Sequence, residues 1–213
     1  RATARTNSKN KGSKWGQYDF ASWCAVWLLY LVEFADWNSQ SVIGIGICGS
    51  SSMANTGGTD SMNYHTGTAA SSRTTVGAVQ YRNIENPWGN IWEWIDGVNF
   101  SDGTVYVCTT PANYADDTTS GYTNAGTKTQ SDGWIKAIGI SSTAPWAFFP
   151  TEVGGSETTY IPDYAGYNSG WRVLYVGGSY GNSTGYVGLF YFYANGTSSY
   201  SYSYVGARLL FHP

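Results

Sequence analysis

The sequence predicts an α+β domain with one long early helix, a small antiparallel sheet and long loops. Three observations point there. Apolar residues recur at helical spacing over one early segment. Seven short aromatic or β-branched runs follow it, each bounded by Gly, Asn, Asp or Pro. The composition suits a packed, turn-rich chain: of 213 residues, 42% are hydrophobic and only 12% charged, with 27 Gly, 18 Tyr and 10 Trp. Disorder needs the opposite balance. Strands gathered after a helix, instead of alternating with helices, favour α+β over α/β.

Arg1 to Lys14 holds five Lys or Arg and no acid, among Ser, Asn, Thr and Gly. With little to bury, it is expected to be a mobile basic leader, leaving residues 15–213 as the domain. Asp19 to Gly44 reads as the long helix. Phe20, Trp23, Cys24, Trp27, Leu28, Leu31, Phe34 and Ala35 follow the i, i+3, i+4, i+7 rule. Asp19 is a natural N-cap, and Gly44 and Gly46 close the segment. Glu33 and Asp36 interrupt the apolar run before the ~18 residues a membrane span needs. Gly49 to Thr75 has loop composition. The expected strands are Val76–Tyr81, Ile91–Ile95, Thr104–Cys108, Trp134–Ile140, Trp171–Val176, Val187–Tyr193 and Val205–Phe211. Long polar stretches separate them, notably Asn113 to Gly133.

A net charge of −3 provides no electrostatic footprint for nucleic acid. Cys24, Cys48 and Cys108 form no CxxC or Cys/His ligand set, and His65 and His212 stand alone, so neither a metal nor a cofactor is expected. Asp116 with Asp117, or Glu152 with Glu157, could pair as catalytic acids. They fall in loops without a neighbouring base and read as solvated.

"ENPWGNIWEWIDG", Glu85 to Gly97, is the most specific stretch. Gly89 permits a turn, Asn86 and Asn90 can bond nearby backbone, and Trp92 and Trp94 share one strand face while Trp88 anchors the turn. The motif resembles the GNVWEW signature of the C-type-lectin-like fold shared by formylglycine-generating enzymes and by variable proteins of diversity-generating retroelements. "VGARLLF" (Val205 to Phe211, with Gly206 and Arg208) resembles the strand that closes those domains and pairs back near their start. "WCAVWLLYLVEFADWNSQSVIG", "YRNIENPWGNIWEWIDGVN" and "SGWRVLYVGGSYGNSTGYVGLFYFYA" look like the phage and prophage branch, whose members sit on virion tails and bind receptors.

Two activities of that broad fold are not expected. The enzymes need a cysteine pair in the C-terminal part, and nothing after Cys108 is a cysteine. Calcium-dependent lectins use Glu-Pro-Asn or Gln-Pro-Asp with Trp-Asn-Asp; here Glu85-Asn86-Pro87 has another order and Trp-Asn-Asp is missing.

Residues 173–207 contain no Asp, Glu, Lys or Arg, and eight of the 18 tyrosines lie between Tyr175 and Tyr204. Tyrosine among Ser, Gly and Asn is the composition of antibody binding loops. In YSYSY a period of two would set Tyr200, Tyr202 and Tyr204 on one side if the stretch were extended. The family diversifies Asn codons near its C-terminus by a route that cannot produce Trp, Lys, Glu, Gln or Met, and none of those occurs in 173–204.

The resemblance thus implies a variable region at about 173–204. Tyr175, Tyr180, Asn182, Ser183, Tyr186, Tyr193, Asn195, Tyr200, Tyr202 and Tyr204 are its candidate displayed residues, with Tyr191 and Phe192 as scaffold. Arg172 and Arg208 are expected to brace the fold. The implied partner is a protein or glycan receptor on a bacterial surface, met from a phage tail, where a homo-oligomer such as a trimer is expected, or from a bacterial cell surface as an adhesin. Neither catalysis nor membrane insertion is expected.

Overall fold

The computed structural model of the chain describes residues 1–213. Its helices are α1 (Ala2–Ser8), α2 (Phe20–Phe34) and α3 (Ser39–Val42), with strand β1 (Trp15–Gln17) between the first two. Three short strands follow, β2 (Gly67–Thr68), β3 (Val79–Tyr81) and β4 (Ile84–Glu85). Then come β5 (Trp92–Ser101), β6 (Thr104–Val107), β7 (Thr123–Thr127), β8 (Gly133–Ile140) and β9 (Phe148–Val153). The chain finishes with β10 (Tyr164–Tyr167), β11 (Trp171–Val176), β12 (Phe192–Gly196), β13 (Val205–Ala207) and β14 (Leu209–Phe211). The class is α+β, with few helices and one dominant sheet. No helix is long and apolar enough to cross a membrane.

The dominant sheet is larger than expected and is mixed. Its nine strands run β7-β6-β5-β11-β12-β10-β8-β9, with β13 beside β5. β10 lies parallel to β12, and β13 parallel to β5; the other pairs are antiparallel. β14 pairs with β1, so the last strand meets the first. Under the sheet lies α2, whose Phe20, Trp23, Trp27 and Tyr30 share one core with Ile95, Leu174, Val176, Phe190 and Phe192.

α2 stops well short of Gly44. Asp19 Oδ1 caps its start by accepting the Ser22 N–H at 2.9 Å. At its end Ala35 takes a left-handed φ of 51° and its N–H bonds Leu31 O. Asp36 Oδ1 then accepts from Asn38 N–H, and Asn38 Oδ1 caps α3. Short polar side chains offer the backbone local bonds that compete with a helix.

The basic start is packed into the domain instead of trailing from it. Arg1 is buried, its guanidinium donating to Ile95 O, Val98 O and Asn99 Oδ1 at 2.9, 2.6 and 2.5 Å. Arg5 clamps Asp96 at 2.5 and 2.9 Å and shares Asp116 with Arg1. Asp96, fully buried, needs such cations to offset its lost hydration. The partners lie 91 and 111 residues from Arg5, beyond any local pattern. Asp116 is therefore an ion-pair member, not a solvated loop acid. Burial works against its charge, but Arg1 and Arg5 prevail and hold its carboxyl below the usual range.

Four expected strands change shape. Val187–Tyr193 is a turn up to Tyr191, because Asp163 Oδ2 and Ser39 Oγ take the Phe190 and Leu189 N–H groups at 2.6 and 2.9 Å. Only Phe192 and Tyr193 join β12. Val205–Phe211 divides at Arg208, whose side chain turns in to clamp Glu93 at 3.0 and 2.5 Å and to reach Glu85 O at 2.6 Å. Val76–Tyr81 shortens to β3, whereas Ile91–Ile95 lengthens into β5.

The tryptophan turn anchors β5. Trp88 is buried and its Nε1–H donates to Gly44 O at 3.0 Å. Gly89 has a φ of 75°, and a Cβ there would lie 2.8 Å from Ile47 N. Only glycine fits both demands. Asn86 Oδ1 accepts from Val79 N–H at 3.2 Å, and the Asn90 amide grips Ala54 N–H and O at 2.8 and 3.1 Å, pinning the Gly49–Thr75 loop. Gly206 pairs with Glu93 in the β13–β5 ladder.

Candidate binding surface

Alternation along β5, β11 and β12 sorts aromatic side chains between two faces. Ile95, Leu174, Val176, Phe192 and Ala194 join the core beneath α2. Trp92, Trp94, Val173, Tyr175 and Tyr193 belong to clusters on the other face. There Tyr175 lies 5.1 Å from Trp92 and 4.7 Å from Trp94, ring centre to ring centre, and Trp92 lies 5.3 Å from Tyr193. A Cβ at Gly196 would overlap the Tyr175 hydroxyl, so glycine is required for this ring to lie where it does.

The segment after β12 completes the layer. It is a turn, not the extended strand that would align YSYSY, with Tyr200 N–H bonded to Thr197 O and Val205 N–H to Tyr202 O. The phenols gather all the same. Tyr200 stacks on Tyr175 at 5.7 Å, Tyr202 follows at 4.5 Å and Tyr204 at 5.2 Å. The Tyr200 and Tyr204 hydroxyls meet at 3.1 Å, and Tyr204 stands edge-on to Trp92. On the other flank Tyr193 stacks on Tyr191.

The ten candidate residues divide. Tyr186, Tyr193, Tyr200, Tyr202 and Tyr204 reach solvent from the layer or its margin, Tyr202 most openly at 55% exposed. Asn195 joins them, its amide bonded to the Tyr193 hydroxyl and to Asn168. Tyr175 is a correction: at 2% exposed it forms the floor under Tyr200, shut in by its own neighbours. Tyr180, Asn182 and Ser183 lie in a separate turn, where Asn182 Oδ1 accepts from Ser179 N–H and Tyr180 makes no ring pair.

Sequence reasoning missed Trp134 and Tyr164. Trp134 stacks on Tyr186 at 5.1 Å and donates to Gly185 O, and Tyr164 packs against both rings. They arrive through the β8–β10–β12 pairing, for which no local signal exists; aromatic density around Tyr160, Tyr164 and Tyr167 was the only hint.

The layer contains no charged side chain. Arg172 and Asp132 act on it from its border. Burial, then the neighbouring phenols, raises the hydroxyl pKa of Tyr175, and burial with the Tyr204 hydroxyl raises that of Tyr200. Both stay protonated at neutral pH, able to donate and accept. Arg208 braces the fold as expected; Arg172 has only Trp171 O as partner, and its Nε has none.

The loop's base is tied to the N-terminal segment. Arg1 N donates to Ser198 O at 2.6 Å, and Ser198 Oγ donates to Asp117 Oδ2 at 2.7 Å. A groove of about 520 Å³ runs between α1 and this loop, with Trp94 and Tyr200 in its wall.

Chemically the surface is suited to contact. Cys48, packed under Tyr191, is buried and its thiol is pushed up to about 12, which keeps it protonated. No three His, Cys, Asp or Glu side chains converge as a metal site. A scan against protein-family models and a search of the curated proteins each find no match for the chain.

Proposed function

We propose that this chain is a C-type-lectin-like variable domain that binds a protein or glycan receptor on a bacterial surface and catalyses nothing. A diversity-generating retroelement rewrites its contact residues, and a phage tail or a bacterial surface displays it. The observation that carries this reading is the uncharged layer of stacked phenols and indoles on the sheet face turned away from α2. Tyrosine offers large amphipathic contact area at the cost of ordering two torsions, and Ser and Asn add adaptable hydrogen bonds. The tryptophan-anchored turn and the β14–β1 pairing support the lectin-type frame.

In this reading Tyr186, Tyr193, Asn195, Tyr200, Tyr202 and Tyr204 touch the receptor, while Tyr175 and Trp92 hold them from below. A few central phenols at about 2 kcal/mol or more each suit a roughly micromolar single site. Display in several copies multiplies that by about 10² to 10⁴.

Sequencing the gene across related isolates tests the reading. Variation is expected at Tyr200, Tyr202 and Tyr204 and at their exposed neighbours, with Tyr175, Gly196 and the GNIWEW turn constant. Variation scattered over the whole chain, or constant phenols, would overturn it.

A further inference from the structure

Helix α2 is apolar on every side. From Phe20 to Val32 it carries no charge, and Ser22 and Tyr30 hold its only hydroxyls. Helices of this kind are normally covered all round. One side is buried against the sheet. The other is open: Leu28 and Leu29 are 44% and 45% exposed and Val32 is 86% exposed. With Ala25 they stand at i, i+3, i+4 and i+7 and form one ridge.

Beside the ridge runs a groove of about 560 Å³ between α2 and the β8–β9 hairpin. Leu28, Leu31, Trp37, Ile138, Ile140 and Tyr160 line it, and Lys136 is the one polar residue of the eleven that do.

We propose that a second copy of this chain covers this face about a two-fold axis, so that the Leu29–Val32 ridge of each copy enters the groove of the other. An isologous contact requires a surface complementary to itself. Here an apolar ridge and an apolar groove lie side by side on one face. Around the rim Glu33 pairs with Arg82 at 3.0 Å and Lys136 with Glu152 at 2.5 Å, so these charges are already balanced within each copy. Asp36 has no cation of its own within the chain, its carboxylate accepting only the Asn38 N–H.

The dimensions fit. At 15 residues α2 is about 22 Å long. With the groove it supplies the apolar centre of an interface burying about 800 Å² per partner, inside a polar rim. Pairing through α2 also leaves the phenol layer, on the opposite face of the sheet, open in both copies.

Sedimentation equilibrium on the full chain, over a series of concentrations, tests this. A mass twice that of the chain is expected at micromolar concentration. Val32→Glu and, separately, Leu29→Glu should weaken association about 100-fold by burying an unpaired charge in the seam. Both positions face solvent in the single chain, so the circular dichroism spectrum should not change, and the melting temperature should fall only by the concentration-dependent part that dimerisation adds. Tyr202→Ser should leave the mass as it is. A monomer throughout the micromolar range, a dimer indifferent to both Glu variants, or one that Tyr202→Ser dissociates would overturn the proposal.

Discussion

Phe192 and Tyr193 are neighbours on β12, yet their rings serve opposite faces of one sheet. Phe192, with no exposure, meets Phe20, Trp27 and Phe100 at 6.3, 6.4 and 5.8 Å and interplanar angles of 77°, 65° and 78°. Tyr193 stacks on Trp92 and Tyr191 at 24° and 16°. Edge-to-face rings interlock and fill volume from every direction, as a core requires. Stacked rings make a row with one margin left for solvent and hydroxyls. The aromatic stock is the same on both sides, and the presence or absence of a covering helix decides its use.

The largest expected effect breaks the covered side. Trp27→Ala should cost about 3–5 kcal/mol, since the indole fills core volume and donates to Leu189 O at 2.8 Å. Tyr202→Ala, on the open side, should stay within about 0.5 kcal/mol. Urea unfolding of both variants measures the contrast directly.

Arg5→Ala should come next, at about 3 kcal/mol, because it strips the bidentate partner from buried Asp96. It should also loosen the phenol loop, which is tied to the same segment through Ser198. Faster amide exchange at residues 198–204, at denaturant concentrations where the fold persists, would show it.

A subtler test lies where the chain crosses between faces. Asp163 is buried and accepts the Phe190 N–H just before Phe190 turns to the helix side and Tyr191 to the phenol side. Burial pushes its carboxyl up to about 8, against the pull of that hydrogen bond. The folded chain therefore holds a proton that the unfolded chain releases near pH 4. Stability is full below about pH 4, falls as pH rises towards about 8, and levels beyond. Asp163→Asn, which keeps an acceptor, should flatten that slope and be the more stable protein at pH 8. Urea midpoints between these limits would check it.

The same contrast explains what was legible beforehand. The helix start at Asp19, the tryptophan turn and the Trp171–Val176 strand are local patterns and stand where expected, although the helix expected to reach Gly44 ends at Phe34. The folded N-terminus was not legible, because Arg1 and Arg5 find Asp96 and Asp116 only through tertiary structure. Nor was the size of the sheet, since strands such as Thr123–Thr127 and Tyr164–Tyr167 hold Gly and Ala where a periodic signal would need bulk. In the aromatic layer, clustering pointed to Tyr193, Tyr200, Tyr202 and Tyr204, which the structure gathers together. Composition cannot tell a floor from a shelf, however, and so Tyr175 was misplaced and Trp134 and Tyr164 went unseen.

The central claim is that the open phenols contact a receptor without holding the fold together. Replacing Tyr200, Tyr202 and Tyr204 together with Ser, then measuring both urea stability and the binding of labelled protein to a panel of intact bacterial cells, tests it most directly. The expected result is a loss of no more than about 2 kcal/mol with cell binding abolished. Undiminished binding, or a collapse as deep as that of Trp27→Ala, would contradict it.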